Sequence, residues 1–121
     1  RVAKKYRKEG YPITDEVIQL IESSSLPKVD NFTSAPKGST YEEKVDNFKQ
    51  LVQKLRPGIT EIIFHPSEET DNLKEITNSW QQRVWEKKMF GDPELQQFFE
   101  EENIVFTNWK EIMERFREQN L

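Results

Sequence analysis

Apolar residues recur at three- and four-residue steps along much of the chain, which is the pattern of amphipathic helices. The clearest stripe follows Thr40 and Glu43, a capping-box pair that marks the start of a helix. Its apolar members are Tyr41, Val45, Phe48, Val52 and Leu55. Further stripes, each behind a capping residue, cover residues 14–23, 79–90, 92–102 and 107–116. We therefore predict four to five helices, with a solvated helical face over the first ten residues as an additional element.

Short continuous apolar runs predict buried strands between the helices. One predicted strand covers residues 59–64 and contains the run Ile62, Ile63 and Phe64; it follows a Pro-Gly turn and leads directly into His65. Residues 104–106 form a second run, and residues 29–32 are a third candidate for a short strand. Continuous apolar character is typical of parallel strands that are covered on both faces. Helix, tight turn and buried strand together predict an α/β fold with two to three short parallel strands.

The composition restricts the classes of function. The 121 residues suit a single domain with a modest core, and three Trp, eight Phe and three Tyr supply the bulky anchors that disordered chains lack. A net charge of -4 disfavours binding to a nucleic-acid backbone. No apolar run approaches the roughly 18 residues of a membrane span. We expect neither nucleic acid nor membrane as a partner, and the lack of a secretory signal favours a cytoplasmic location.

His65 is the only histidine and stands directly after the predicted strand 59–64. Loops at the carboxyl ends of buried strands hold the functional sites of α/β proteins. Because imidazole gains and loses a proton near neutral pH, an acid–base role is the strongest chemical interpretation of His65. The alternative is a histidine that only packs or caps, and the pattern leaves both open.

Several other polar residues have a functional and a structural interpretation side by side. The acidic loop after His65 carries Glu68, Glu69 and Asp71. Its carboxylates are either metal ligands or solvated charges, and their spacing does not match a calcium loop. Asp30 either belongs to a site or fixes a turn. The basic residues near the amino terminus face either an anionic ligand or solvent, while Arg83 and Glu86 are expected to form an i,i+3 ion pair.

Complete hydrolase machinery is difficult to assemble from these residues. The chain has no glycine-rich phosphate loop, no H-E-x-x-H pair and no G-x-S-x-G elbow. It also has no cysteine, which excludes disulfides and thiolate nucleophiles. One imidazole cannot supply a three-ligand zinc site. If His65 is catalytic, its partners must therefore come from elsewhere.

A longer pattern resembles a known family. The run L-R-P-G-I-T-E-I-I-F-H-P-S, followed by W-Q-Q-R-V-W-E, F-G-D-P-E-L and E-E-E-N-I-V-F-T-N-W-K-E-I, resembles the carboxyl-terminal part of the YdjC-like carbohydrate deacetylases in order and spacing. The resemblance covers residues 55–116 and is vague before residue 40, although Y-E-E-K-V-D-N-F-K-Q-L matches the family's helix before the H-P strand. It implies an incomplete (β/α) barrel, of which this chain is a fragment. It also implies removal of acetyl groups from N-acetylated sugars, including chitooligosaccharides, with a divalent metal such as Mg or Zn.

The resemblance assigns roles to four residues. His65 and Pro66 fall on the family's H-P-G motif, which places the histidine at the catalytic mouth, while Ser67 replaces the glycine. Arg83 and Glu86 fall on the family's R-x-x-E and imply a structural ion pair near the site. The family's metal-binding aspartate and two histidines would lie upstream, so the resemblance implies no metal ligand in this chain.

The resulting hypothesis treats residues 1–121 as a single domain, the carboxyl-terminal portion of a larger bacterial deacetylase barrel. It implies an acetylated carbohydrate as substrate, with homo-oligomerisation open, and an isolated segment that is inactive and metal-free. Two alternatives differ in kind. One is a free-standing module that binds a carbohydrate or a protein without catalysis, favoured if Trp80, Trp85 or Trp109 is exposed. The other is a different hydrolase of the broader polysaccharide deacetylase class.

Overall fold

The computed structural model describes residues 1–120, which form seven helices and two short strands. Their order is α1 (Val2–Lys8), α2 (Asp15–Ser23), β1 (Asn31–Ser34), α3 (Tyr41–Gln53), β2 (Thr60–Ile63), α4 (Asp71–Ile76), α5 (Trp80–Phe90), α6 (Pro93–Glu101) and α7 (Trp109–Gln119). Thr40 opens α3 as predicted, because its hydroxyl accepts from the Glu43 amide at 3.1 Å. None of these helices within residues 1–120 is both long enough and apolar enough to cross a membrane.

The two strands pair with each other in parallel. The Asp30 amide donates to the Ile59 carbonyl at 2.8 Å, and the Ala35 amide donates to the Ile63 carbonyl at 2.9 Å. Both strands therefore advance in the same direction along the pairing. The predicted α/β class with parallel strands is confirmed, and the arrangement is consistent with part of an α/β barrel.

Two details of the prediction were wrong. There are seven helices, because the short α4 is formed in addition to the helices behind the five stripes and to α1, the helical face expected over the first ten residues. Residues 104–106 are not a strand within the described part of the chain. The Ile104 amide instead donates to the Phe99 carbonyl at 2.9 Å, so this apolar residue packs back on the helix before it. Val105 is 78% exposed, and the apolar run therefore reflects one buried contact and not a covered strand.

The chain divides into two compact units. The first contains Arg1–Phe32, Pro57–Glu61 and the described residues from Phe106 onward. The second contains Thr33–Arg56 and Ile62–Val105. That residues 1–121 are one domain of a larger barrel stays a prediction.

The second unit holds the main hydrophobic core. Its buried apolar members come from α3, α5 and α6, and they are Val45, Phe48, Val52, Met89, Leu95 and Phe98. Phe48 lies edge-on to Phe64 and Phe99, with ring centroids 5.6 and 5.9 Å apart. The apolar stripe predicted for α3 is thus the face that packs.

Helix α6 begins at a polar link between Asp92 and Tyr41. The Asp92 carboxylate accepts from the Glu94 amide at 2.9 Å and from the Tyr41 hydroxyl at 2.6 Å. The Tyr41 hydrogen bond is the main reason that the pKa of Asp92 lies below its ordinary value. Burial, and then the bond to Asp92, raise the pKa of Tyr41.

This link makes stability depend on pH. The folded state favours ionised Asp92, so its contribution is present above the unfolded pKa of about 3.9 and is lost as pH falls through the lower folded value. We expect Tyr41→Phe to lower the free energy of unfolding by about 1 kcal/mol at pH 7, and the difference to shrink below pH 4. Urea unfolding at both pH values measures it, with the exposed Tyr11→Phe as the control. A difference that is the same at both pH values would contradict the assignment.

In the first unit, Asp30 fixes the turn that leads into β2. Its carboxylate accepts from the Ile59 amide at 2.8 Å. Gly58 stands beside it with φ +130°, a backbone conformation that side chains rarely adopt. A Cβ at Gly58 would also collide with the Asp30 carboxylate. Of the two interpretations of Asp30, the structure supports the turn.

We expect Gly58→Ala to lower the free energy of unfolding by about 1–3 kcal/mol, because it combines backbone strain with this collision. Gly91→Ala is the matched control. At Gly91 the nearest atom to an added Cβ is the Lys88 carbonyl oxygen, 3.9 Å away, and φ is -99°. The control should change stability by less than about 1 kcal/mol in either direction. Equal losses in the two variants would count against the turn's role.

Candidate functional site

His65 lies two residues beyond the last residue of β2, at its carboxyl end. The residue is exposed, as is Pro66 after it. The His65 amide donates to Glu86 Oε1 of helix α5 at 2.9 Å. The Ser67 amide then donates to the Arg83 carbonyl at 3.1 Å. Helix α5 thus holds the backbone on both sides of the H-P pair, while the imidazole stays accessible.

Glu86 belongs to a buried ion pair. Its Oε2 lies 3.4 Å from the ammonium of Lys44 on α3. Lys44 is only 1% exposed and Glu86 only 5%. Such charges are tolerated in an interior only when each is paired and hydrogen-bonded. Each carboxylate oxygen of Glu86 consequently has its own partner, the Lys44 ammonium on one and the His65 amide on the other.

Two further acceptors surround the Lys44 ammonium. It donates to the Pro36 carbonyl at 2.8 Å and to Gln82 Oε1 at 3.1 Å. The Gln82 side chain also donates to the Gly38 carbonyl at 2.7 Å. Gly38 has to be glycine here, because a Cβ would collide with the Lys44 backbone. The Lys44 ammonium therefore joins helix α3 to helix α5 and to residues 36–38.

Two expectations for α5 were wrong. Arg83 and Glu86 do not form the expected ion pair, because Lys44 takes the Glu86 carboxylate. Arg83 contributes its carbonyl to the site's loop instead. Ser79, the expected capping residue of the stripe at residues 79–90, occupies the N-cap position, but its side chain makes no capping hydrogen bond. The Gln82 side-chain oxygen instead accepts hydrogen bonds from the Gly38 amide and the Lys44 ammonium.

The acidic loop after His65 is held by lysines. Glu68 pairs with Lys87, and Glu69 pairs with Lys74 at 3.3 Å. Asp71 begins α4, next to the capping residue Thr70. Within residues 1–120, no group of three or more His, Asp or Glu side chains is close enough to hold a metal ion.

The basic amino-terminal run is also engaged in salt bridges. Lys4 pairs with Glu22 at 3.0 Å, and Arg7 pairs with Asp15. Arg1, Lys4, Lys5 and Lys8 line an open surface pocket of the first unit. Exposed lysines in an open pocket do not by themselves indicate a ligand, and the solvated helical face remains the simpler interpretation.

The three tryptophans differ in exposure. Trp80 and Trp85 on α5 are half-buried, and Trp80 lies beneath the Lys74 ammonium at 4.6 Å from the ring centroid. Trp109 at the start of α7 is 47% exposed. A free aromatic surface therefore exists in the first unit, at Trp109.

Sequence reasoning missed Lys44, although a signal was present. Lys44 stands three residues after Tyr41 and four before Phe48, which places it on the apolar face of α3. A lone cation in an apolar stripe indicates a buried charge that needs a partner. Glu86 stands on the core side of α5 in the same way, three residues before the buried Met89.

Comparison with known proteins agrees with the resemblance in the H-P segment and extends it toward the amino terminus. The model of the family described as YdjC-like protein matches residues 2–101. The match thus includes the part before residue 40, where the resemblance was vague, and stops before α7. A carbohydrate deacetylase of Thermoanaerobacter pseudethanolicus is 32% identical over 93 residues, which are 75% of this chain and 36% of that protein.

The chain accordingly spans about a third of the length of this curated relative. No solved structure matches it. The family match extends over most of the chain and includes β2, His65 and the helix that carries Glu86. The chain therefore belongs to the YdjC-like protein family.

Proposed function

We propose that these residues are the carboxyl-terminal part of a deacetylase that hydrolyses the acetamide of N-acetylated sugars or oligosaccharides. The family match and the related carbohydrate deacetylase support the reaction class. The single observation that carries the site is the accessible His65 at the end of a parallel strand, on a backbone fixed by a buried ion pair. Preorganised groups of this kind are what catalysis needs.

His65 is proposed as the acid–base residue. Hydrolysis of an acetamide adds water to the carbonyl carbon and then breaks the carbon–nitrogen bond. The departing sugar amine has to receive a proton as that bond breaks, because an amide anion is a very poor leaving group. A protonated imidazole at position 65 supplies that proton, and the products are acetate and a sugar with a free amine. Pro66 and the α5 contacts fix the direction from which the imidazole acts.

A divalent metal, Mg or Zn, is proposed for the complete enzyme. Within residues 1–120 the side chains do not fit such an ion, because no cluster of potential ligands exists there. The ligands would therefore be supplied by another part of the protein, and no step performed by this chain depends on them. A neutral acetylated sugar also suits a chain with a net charge of -4 better than an anionic substrate does.

The test is release of acetate from N-acetylated chitooligosaccharides by the complete protein and by residues 1–121 alone. We expect release by the complete protein, and none by the 121-residue segment, with or without added Mg or Zn. Release by the isolated segment would contradict the division of the site between two parts of the protein. If the complete protein releases no acetate from any N-acetylated sugar tested, the proposed reaction is wrong.

A non-catalytic carbohydrate-binding module is a second candidate, and the 47% exposed Trp109 favours it. Exposed aromatic rings present an apolar face on which a sugar ring can stack. Titration of residues 1–121 with N-acetylated chitooligosaccharides, followed by tryptophan fluorescence, separates the candidates. Saturable binding that is lost in Trp109→Ala would support the module. No change in fluorescence would contradict the binding module, and the deacetylase would then be the remaining candidate.

A further inference from the structure

The Lys44 ammonium has no role in the proposed chemistry, and yet it is the most deeply buried charge of the second unit. It is 1% exposed and is surrounded by the Pro36 carbonyl, the Gln82 side chain and Glu86. It cannot reach a substrate from there. Any contribution to the reaction must therefore pass through one of these partners.

Stability alone does not account for a charged pair at this position. A buried ion pair loses its hydration, and apolar side chains of similar volume often stabilise a core equally well. What an apolar pair cannot provide is a fixed acceptor for the His65 amide. Glu86 provides it, since Oε2 faces Lys44 at 3.4 Å while Oε1 accepts from His65 at 2.9 Å.

The geometry points to Lys44 as a positioning residue for His65, acting through Glu86. The ammonium holds one carboxylate oxygen, the carboxylate is thereby oriented, and the other oxygen fixes the backbone from which the imidazole projects. This inference rests on the proposed function, because it gives His65 a reaction in which its position counts. It adds Lys44, which neither the family resemblance nor the strand pattern had indicated.

The experiment is a mutant cycle in the complete deacetylase. Lys44→Met/Glu86→Met replaces the pair by two apolar side chains, which keep the core filled. It also leaves no unpaired charge in the interior. The double substitution is made in the wild-type and in the His65→Ala background. For each protein, kcat and KM are measured for acetate release from an N-acetylated chitooligosaccharide. Assays run below the lowest melting temperature, with folding checked by circular dichroism.

We expect the methionine pair to lower kcat about tenfold or more in the wild-type background, with KM changed less than about threefold. In the His65→Ala background the same pair should change kcat less than about twofold, because the imidazole that it positions is already absent. A purely structural pair would reduce kcat by the same factor in both backgrounds, which would overturn the inference. Unchanged kcat in both would overturn it as well.

Lys49→Met is the matched control, since it makes the same change on the same helix. Lys49 pairs with Glu94 at 2.8 Å near the surface and has no link to His65. Its kcat should stay within about twofold of wild type. If the methionine pair does not fold, Lys44→Leu/Glu86→Leu takes its place in the cycle. It also removes both charges together with the acceptor of the His65 amide, and the same two outcomes decide.

Failure of the proposed function is distinguishable from failure of this inference. No acetate release by the complete protein would remove the reaction and the positioning role together. Wild-type rates in His65→Ala would remove the acid–base role of His65 and the positioning role of Lys44, while the deacetylase reaction itself would stand. If the methionine pair lowers kcat by the same factor with and without His65, the two effects are independent. That result would leave the deacetylase intact and remove only the role of Lys44.

Discussion

His65→Ala is expected to lower kcat for acetate release by about 10²- to 10⁴-fold in the complete enzyme, the range that general acid–base groups contribute. The change should be in kcat, because proton transfer to the departing amine is needed only as the bond breaks. Folding should be unaffected, since the bond to Glu86 is made by the backbone amide, which alanine retains. The measurement is steady-state acetate release from an N-acetylated chitooligosaccharide.

Glu75→Ala on α4 serves as the control for this substitution. Glu75 is exposed, lies outside the H-P segment and has no part in the proposed chemistry. Its rate should match wild type. A His65→Ala enzyme that also works at the wild-type rate would remove the acid–base role, even if the protein proves to be a deacetylase.

The largest effect on stability is expected for Lys44→Met. The substitution leaves the Glu86 carboxylate, which is 5% exposed, without its counter-ion. Removing one partner of a buried pair typically costs about 3–5 kcal/mol, because the remaining charge has lost both its hydration and its partner. Chemical denaturation near pH 7 gives the free energy of unfolding directly.

Two further variants provide the comparison for the stability loss in Lys44→Met. Lys49→Met breaks a pair whose Glu94 side chain is 72% exposed, and it should cost less than about 1 kcal/mol. Lys44→Met/Glu86→Met should regain most of the loss, because neither charge remains. If Lys44→Met costs no more than Lys49→Met, the buried network described for α3 and α5 does not exist in solution.

Local pattern was sufficient for most of the helices and for the sheet. The stripe behind Thr40 predicted α3 and its buried face, and the run ending at His65 predicted β2. Both succeed because a helix or a buried strand needs only its own apolar periodicity and its own caps. The prediction of a strand at residues 104–106 failed for the opposite reason. A strand needs a pairing partner, which an apolar run does not reveal.

The site was predictable only in part. The position of His65 at the end of a strand followed from sequence order, since a strand's carboxyl end is fixed by chain direction. The partner of Glu86 was not predictable from spacing, because Arg83 on the same helix looked closer than Lys44 on another. Contacts between side chains distant in sequence depend on packing, and 42 positions separate Lys44 from Glu86 (86 minus 44).

The depth of Lys44 also has a consequence for amine chemistry. Acylating or methylating reagents need a neutral, accessible amine, and the Lys44 nitrogen is enclosed by Pro36, Gln82 and Glu86. Lys87 and Lys88 on α5 are exposed and open to the same reagents. Labelling at position 44 consequently requires that α3 and α5 separate. The extent of labelling at Lys44 therefore reports local opening of the protein beneath the H-P loop.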